Sequence, residues 1–341
     1  SKKLSKYDTD NFILYEDNYL ISSDRKGNII IYSFDEDSVI AKFNFYKKRY
    51  KKIKKFLNLV VEKNIIYVSD NIGYLYAFDF KNNKILWAKN YKIPFRSNLK
   101  LSGNNIITAN QNNHLYFFDI KTGETLKMLP TEETIMKNEF VNNLSLNKDS
   151  LFFLNTYGSL YSIDKTTMRI KWFINLNQSL DINPSNLYNG NEIVNYKDKI
   201  IISSNKFTFI ADVKNGTIIS KKNFSSIIKP VILDNYLFTI TKSSLLVALN
   251  LNNGNIIYSY DINSKISDFL KIKKKKVQFK NIFLVNNQIY IFLKNSYILK
   301  FNINGDLFNV DKLPSKIKSQ PIFVDNSILY LDSKNRISII D

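Results

Sequence analysis

One short phrase recurs eight times along the 341 residues of the chain, and it restricts the fold more than anything else in the sequence. The phrase is a tight-turn residue, an alternating apolar run, an Asp or Asn six residues after the turn, a second turn and a further apolar run. Its clearest copy is Gly73-Tyr74-Leu75-Tyr76-Ala77-Phe78-Asp79, resumed by Asn83-Lys84-Ile85-Leu86-Trp87. The Asp place is filled by Ser33, Asp79, Asp119, Asp164, Asp212, Asn250, Asn302 and Asp341, at intervals of 38 to 52 residues that average 44. A strand-built repeat of this length marks a β-propeller.

The copies align residue by residue. Six places before the marker stand Gly27, Gly73, Asn113, Gly158, Lys206, Ser244, Ser296 and Asn335. Gly and Asn reach positive φ at little cost, so the place reads as a tight turn between antiparallel strands, with Lys206 the poorest fit. The run between turn and marker alternates with period two and is apolar on both faces, which predicts a strand covered on both sides. A second turn follows, as KNNK at 81–84, KTGE at 121–124, KNGT at 214–217 and NNGN at 252–255. An outer strand then begins at Ile85, Thr125, Ile170, Ile218 or Ile256. With the hydrophobic strand before the first turn, each repeat holds four short strands, one blade. A single blade cannot bury its own faces, and stacked neighbours can.

The sequence therefore predicts an all-β fold, an eight-bladed propeller of four-stranded antiparallel blades, as one domain over residues 1–341. The eighth repeat ends with its third strand, and the segment 3–7 has strand character. It is expected to pair with the eighth blade and close the ring, covering an edge that would otherwise be open.

Chemistry is sparse. The absence of cysteine excludes disulfides, thiolate metal sites and cysteine nucleophiles. The one histidine, His114, follows a turn and reads as an exposed structural residue. No P-loop, GxSxG or HExxH motif occurs. The recurring Asp79, Asp119, Asp164, Asp212 and Asp341 occupy one place per blade, which fits local turn caps better than a shared metal site. No catalytic residue, cofactor or metal ligand is assigned. No run of 18 apolar residues or N-terminal signal pattern is present, and the start at Ser1 is expected of a processed or trimmed product.

A net charge of +19 raises the question of an anionic partner. Only five of the 49 basic residues are Arg, and the lysines are spread over every blade, which argues against nucleic acid. Two clusters stand out, KKRYKKIKK at 47–55 and KIKKKK at 271–276, in the connections between blades one and two and blades six and seven. Two readings stand for both: solvated loops, or contacts with anionic lipid headgroups or an acidic partner.

The phrases VSDNIGYLYAFDFKNNKILW at 68–87, HLYFFDIKTGETL at 114–126 and GSLYSIDKTTMRIKW at 158–172 resemble the quinoprotein-type (PQQ-like) propeller repeat, whose A-x-D-x-x-T-G-x-x-x-W signature closes each blade. Trp87 and Trp172 stand at its docking-tryptophan place. Ala41, Lys127, Ser220 and Tyr258 occupy that place in four other blades. Within the superfamily, quinone-dependent dehydrogenases are longer and use a vicinal disulfide and Ca²⁺, while the BamB-type outer-membrane assembly lipoproteins resemble this chain in length and in lacking a cofactor. The second resemblance implies a monomeric periplasmic scaffold at the inner leaflet of the outer membrane, held by a lipid anchor outside this chain. It also implies binding to the POTRA domains of a BamA-type insertase and to unfolded outer-membrane protein precursors. A quinoprotein enzyme and an orphan interaction propeller remain the alternatives.

The family's contact loops, a Leu-Ser-Leu-Arg stretch and a loop with paired aspartates, are not reproduced here. The loops in comparable places are 131–142 and 179–193. Their Ile135, Met136, Lys137, Phe140, Asp181 and Asn183 are the expected partner-binding residues. An exposed outer strand offers a second route, β-augmentation by an extended client strand.

Overall fold

A computed structural model describes the chain except for residues 1, 47–49, 135–140, 178–186, 205, 326 and 341. It is an eight-bladed β-propeller. Among the described residues seven sheets are antiparallel four-stranded meanders and the eighth has three strands. The second blade is typical, with strands Leu57–Glu62, Ile65–Asp70, Tyr74–Asp79 and Lys84–Asn90. Its third strand is buried from Leu75 to Phe78, so its alternating side chains are covered on both faces, as the apolar pattern predicted.

The chain divides into two compact units. One comprises residues 1–144 and 317–341, the other 145–316. In the first unit, Ile21, Ile29 and Ile31 of blade one pack with Ile66, Val68, Tyr76 and Phe78 of blade two. In the second, Phe152, Leu154 and Leu160 of blade four pack with Ile200, Ile202 and Phe209 of blade five. Fully burying one such side chain is worth about 1.5–3 kcal/mol, which is why neighbouring blades cohere.

The turn place behaves as its residues dictate. Gly27, Gly73, Asn113, Gly158, Ser244, Ser296 and Asn335 all have positive φ, between 60° and 98°. At Lys206 the hairpin closes through Ser204 N–H donating to the Phe207 carbonyl at 2.8 Å.

The closing strand is in place but short. Lys3 forms an antiparallel bridge with Arg336, Leu4 N–H donates to the Asn335 carbonyl at 2.9 Å, and Ile337 N–H donates to the Lys2 carbonyl at 2.9 Å. Leu4 is buried among Leu329, Leu331 and Ile337 of the last blade and Leu20 and Ile30 of the first. The N-terminal segment thus supplies the fourth edge of the C-terminal sheet.

Among the described residues one helix departs from the all-β pattern, at Ile262–Leu270 between blades six and seven. Its start signal is Asp261, whose Oδ1 accepts from the amides of Asn263 at 2.8 Å and Ser264 at 3.3 Å.

Candidate interaction sites

Two turn caps recur from blade to blade, and they differ in burial. The outer cap is the marker residue. Asp119 Oδ1 accepts from Lys121 N–H at 3.0 Å and Thr122 N–H at 2.8 Å. Asp164 Oδ1 accepts from Thr166 N–H at 3.0 Å and Thr167 N–H at 2.7 Å, and Asp212 Oδ1 from Lys214 N–H at 2.7 Å. Asp79 caps Asn82 N–H at 3.0 Å. These amides, led by those of Asn82, Thr122 and Thr167, hold the carboxyls of Asp79, Asp119 and Asp164 below the usual range. Asn250 and Asn302 make the same cap without a charge, to Asn252 N–H at 2.8 Å and Asn304 N–H at 3.0 Å.

The inner cap is buried and was not singled out in the sequence. Asp24, Asp70, Asn110, Asn155 and Asp332 lie three residues before the tight-turn residue and accept the turn amides from inside the blade. Asp70 Oδ1 takes Ile72, Gly73 and Tyr74 N–H, each at 2.8 Å, and its Oδ2 accepts from the Tyr46 hydroxyl at 2.5 Å. Burial pushes the Asp70 carboxyl up, against the pull of those donors. The spacing D/N-x-x-G/N would have revealed this cap, since a short acceptor there is the ordinary way to satisfy a tight turn.

Docking between blades is set by a bulge. In blades one to seven the pairing of third and fourth strands shifts register just before the marker, for example between Ala77 and Phe78 or Ser162 and Ile163. A bulge re-aims the residue after it, and in blades two and four that residue is Trp87 and Trp172. Trp172 Nε1 donates to the Val213 carbonyl at 3.1 Å, and a Cβ added at Gly216 would lie 2.7 Å from its ring. In blade six Tyr258 does the same work. Its hydroxyl donates to the Ile303 carbonyl at 2.9 Å, and a Cβ at Gly305 would meet its ring at 2.7 Å. In blade six the docking contact is therefore retained without the tryptophan.

The six expected partner-binding residues, Ile135, Met136, Lys137, Phe140, Asp181 and Asn183, lie outside the described residues, as do Lys47, Lys48 and Arg49 of the first basic cluster. The ends of the two loops are anchored. Asn142 is buried and its Nδ2 donates to the Asn110 carbonyl at 3.0 Å, and Leu187, Tyr188 and Ile193 are buried.

Two open clefts occur among the described residues. One, of about 400 Å³, is lined by Tyr7, Lys26, Asn28, Asn44, Tyr46, Lys51 and Lys55. Lys55 is buried and donates to the Tyr50 carbonyl at 2.5 Å, and burial lowers its ammonium below the ordinary value. The other, of about 440 Å³, is lined by Lys148, Lys171, Lys197 and Lys214 with Asp149 and Asp198. Ser150 also lines the second cleft, and its Oγ accepts from Lys171 Nζ at 3.1 Å. His114, expected to be exposed, has only 15% of its side chain open to solvent, and its Nε2 lies 3.9 Å from Glu133. Among the described residues no three His, Cys, Asp or Glu side chains group to hold a metal ion.

The model of the family described as outer membrane protein assembly factor BamB matches residues 25–260. No curated protein matches the chain in sequence. Among solved structures, BamB from Moraxella catarrhalis superposes with a TM-score of 0.75 at 12% identity, covering 98% of this chain and 99% of that one. The computationally designed Ika8 protein gives 0.72 at 12% identity over 99% of each chain. The C-terminal WD40 domain of Sif2 gives 0.67 at 11% identity over 99% of this chain and 97% of that one. Likenesses at such identities speak for the fold alone.

Proposed function

The chain belongs to the family of the outer membrane protein assembly factor BamB, and from that premise we propose that it is a non-catalytic scaffold of the outer-membrane β-barrel assembly machinery. In this reading it is a single-domain monomer in the periplasm, at the inner leaflet of the outer membrane. It binds the POTRA domains of a BamA-type insertase and helps deliver unfolded barrel precursors. The observation that carries the reading is the family match across residues 25–260. The repeated acids support it too, because those described are spent on turn amides.

The binding residues proposed are Ile135, Met136, Lys137 and Phe140 in one inter-blade loop and Asp181 and Asn183 in another. A pulldown with the cognate insertase tests both levels. Wild type is expected to co-purify, and charge reversal at Lys137 and Asp181 with Ile135, Met136 and Phe140 made polar is expected to abolish it. Capture unaffected by those changes removes the site, and no capture of wild type removes the assembly role. Reconstitution with pyrroloquinoline quinone and Ca²⁺ is expected to give no dye-linked alcohol or sugar oxidation.

A further inference from the structure

The lysine run at 271–276 follows the helix Ile262–Leu270, and together they form a built surface. Ile262, Ile266, Phe269 and Leu270 fall on one stripe at helical spacing. The first two are buried against Phe279 and the core of blades six and seven. The stripe then continues past that core, leaving Phe269 44%, Leu270 39% and, just beyond the helix, Ile272 50% exposed.

The excursion is held in shape. Lys271 is left-handed at φ 52°, its N–H bonds back to the Ser267 carbonyl, and Ser267 Oγ donates to the Ile272 carbonyl at 2.6 Å. At the neck, Val277 N–H donates to Asn263 Oδ1 at 2.9 Å and Lys274 pairs with Asp261 at 2.7 Å. Residues 271–276 are all exposed. Lys271, Lys273, Lys275 and Lys276 are interleaved with or adjacent in sequence to the three apolar side chains, and the one acid in this exposed stretch is Asp268, just before Phe269.

We propose that this tip is a membrane-surface contact that inserts Phe269, Leu270 and Ile272 among the headgroups of an anionic phospholipid leaflet. The lysine stems lie along the apolar boundary while their ammonium groups meet lipid phosphates. The charge is complementary to such a surface. The segment contains no arginine, the side chain suited to bidentate recognition of the carboxylates of an acidic protein. The contact would orient the propeller on a bilayer whatever protein it docks.

Co-sedimentation of the full chain with phosphatidylcholine vesicles, with and without phosphatidylglycerol, tests the proposal. Binding is expected only to the anionic vesicles and is expected to weaken with salt. K273Q/K275Q/K276Q is expected to lower partitioning about a hundredfold, from roughly 1 kcal/mol per lysine near the surface. F269S/L270S/I272S is expected to reduce it while leaving the thermal unfolding midpoint within a few degrees of wild type, since these side chains are exposed. In F269W, tryptophan emission is expected to shift to the blue on anionic vesicles. Wild type left in the supernatant, equal binding to both vesicle types, or variants that bind like wild type would each overturn the proposal. So would capture of an acidic protein through these lysines without vesicle binding.

Discussion

The indole nitrogen of Trp87 donates to the backbone carbonyl of Ile120 at 3.1 Å, so a side chain at the edge of blade two is fastened to the marker turn of blade three. The turn is shaped to receive it. Gly123 has φ 71°, and a Cβ there would sit 2.5 Å from the Trp87 ring.

Trp87→Ala is expected to destabilise the protein by about 2–4 kcal/mol, below the full cost of a core aromatic because the ring is only partly buried. Gly123→Ala should lose about 1–3 kcal/mol through the left-handed φ and the clash. In the double variant the clash has no partner, so the two losses should fall short of additive by about 0.5–3 kcal/mol in urea unfolding. Strict additivity would mean that the ring does not dock on Gly123.

Tyr258→Phe deletes only the hydroxyl that donates to Ile303, and should lower stability by about 1 kcal/mol. Tyr258→Trp is expected to be milder than Tyr258→Ala, because an indole offers a ring and a donor at the same place. Calorimetry on the three variants ranks them. Equal losses for all three would show that the position carries no docking contact.

These contacts explain what could be read in the sequence. The tight-turn residue and the outer cap are local requirements. A turn must find a positive φ and an acceptor within a few residues, so the places of Gly73 and Asp79 keep turn-forming and capping residues in most copies. Docking is a contact between blades, met by an indole at Trp172 and by a phenol at Tyr258, and the pattern of one hides the other. The helix lies in a connection whose lysines dominate the sequence pattern, and its own signals, Asp261 and the Ile262/Ile266 spacing, are short. The burial of Lys55 had no sequence signal, because it depends on Tyr46 and Tyr50 folding over a neighbouring blade.

Asn335 ties the last hairpin to the start of the chain. Its Nδ2 donates to the Tyr7 carbonyl at 2.8 Å, while its Oδ1 accepts from Thr9 at 3.0 Å and Lys318 at 2.7 Å. Asn335→Gly keeps the positive φ and removes those bonds together with the one from Nδ2 to the Ser5 carbonyl at 3.2 Å, for an expected loss of about 2–3 kcal/mol. Asn335→Ala should lose about 1–2 kcal/mol more through its backbone. Hydrogen exchange at Ile337–Ile340 should quicken in both. A glycine variant as stable as wild type would show that the closing segment is held by Leu4 and the backbone alone.

The outer caps give acid sensitivity of a defined sign. The native carboxyls of Asp119 and Asp164 lie below the ordinary value of 3.8, led by the Thr122 and Thr167 amides. Above that value both are ionised in either state and their contribution is fully present. As pH falls through the lowered native values the folded state must take up these protons, and the contribution is lost. D119N/D164N, which reproduces the caps of Asn250 and Asn302, should therefore flatten the decline of stability below pH 3.8. A decline unchanged from wild type would assign it to other carboxylates.

The fourth strands, such as Lys84–Asn90 and Ile170–Asn175, lie at the edges of their sheets, with unpaired amides and carbonyls along one side. If extended precursors add to such edges, hydrogen exchange of fourth-strand amides should slow on adding a barrel-strand peptide, while third-strand amides stay unchanged. Because the contacts are main-chain hydrogen bonds, a scrambled peptide of equal length and apolar content should bind with similar affinity, and a proline-interrupted one should not. Protection confined to residues outside the fourth strands, or strong dependence on peptide sequence, would instead place recognition in side chains of the inter-blade loops.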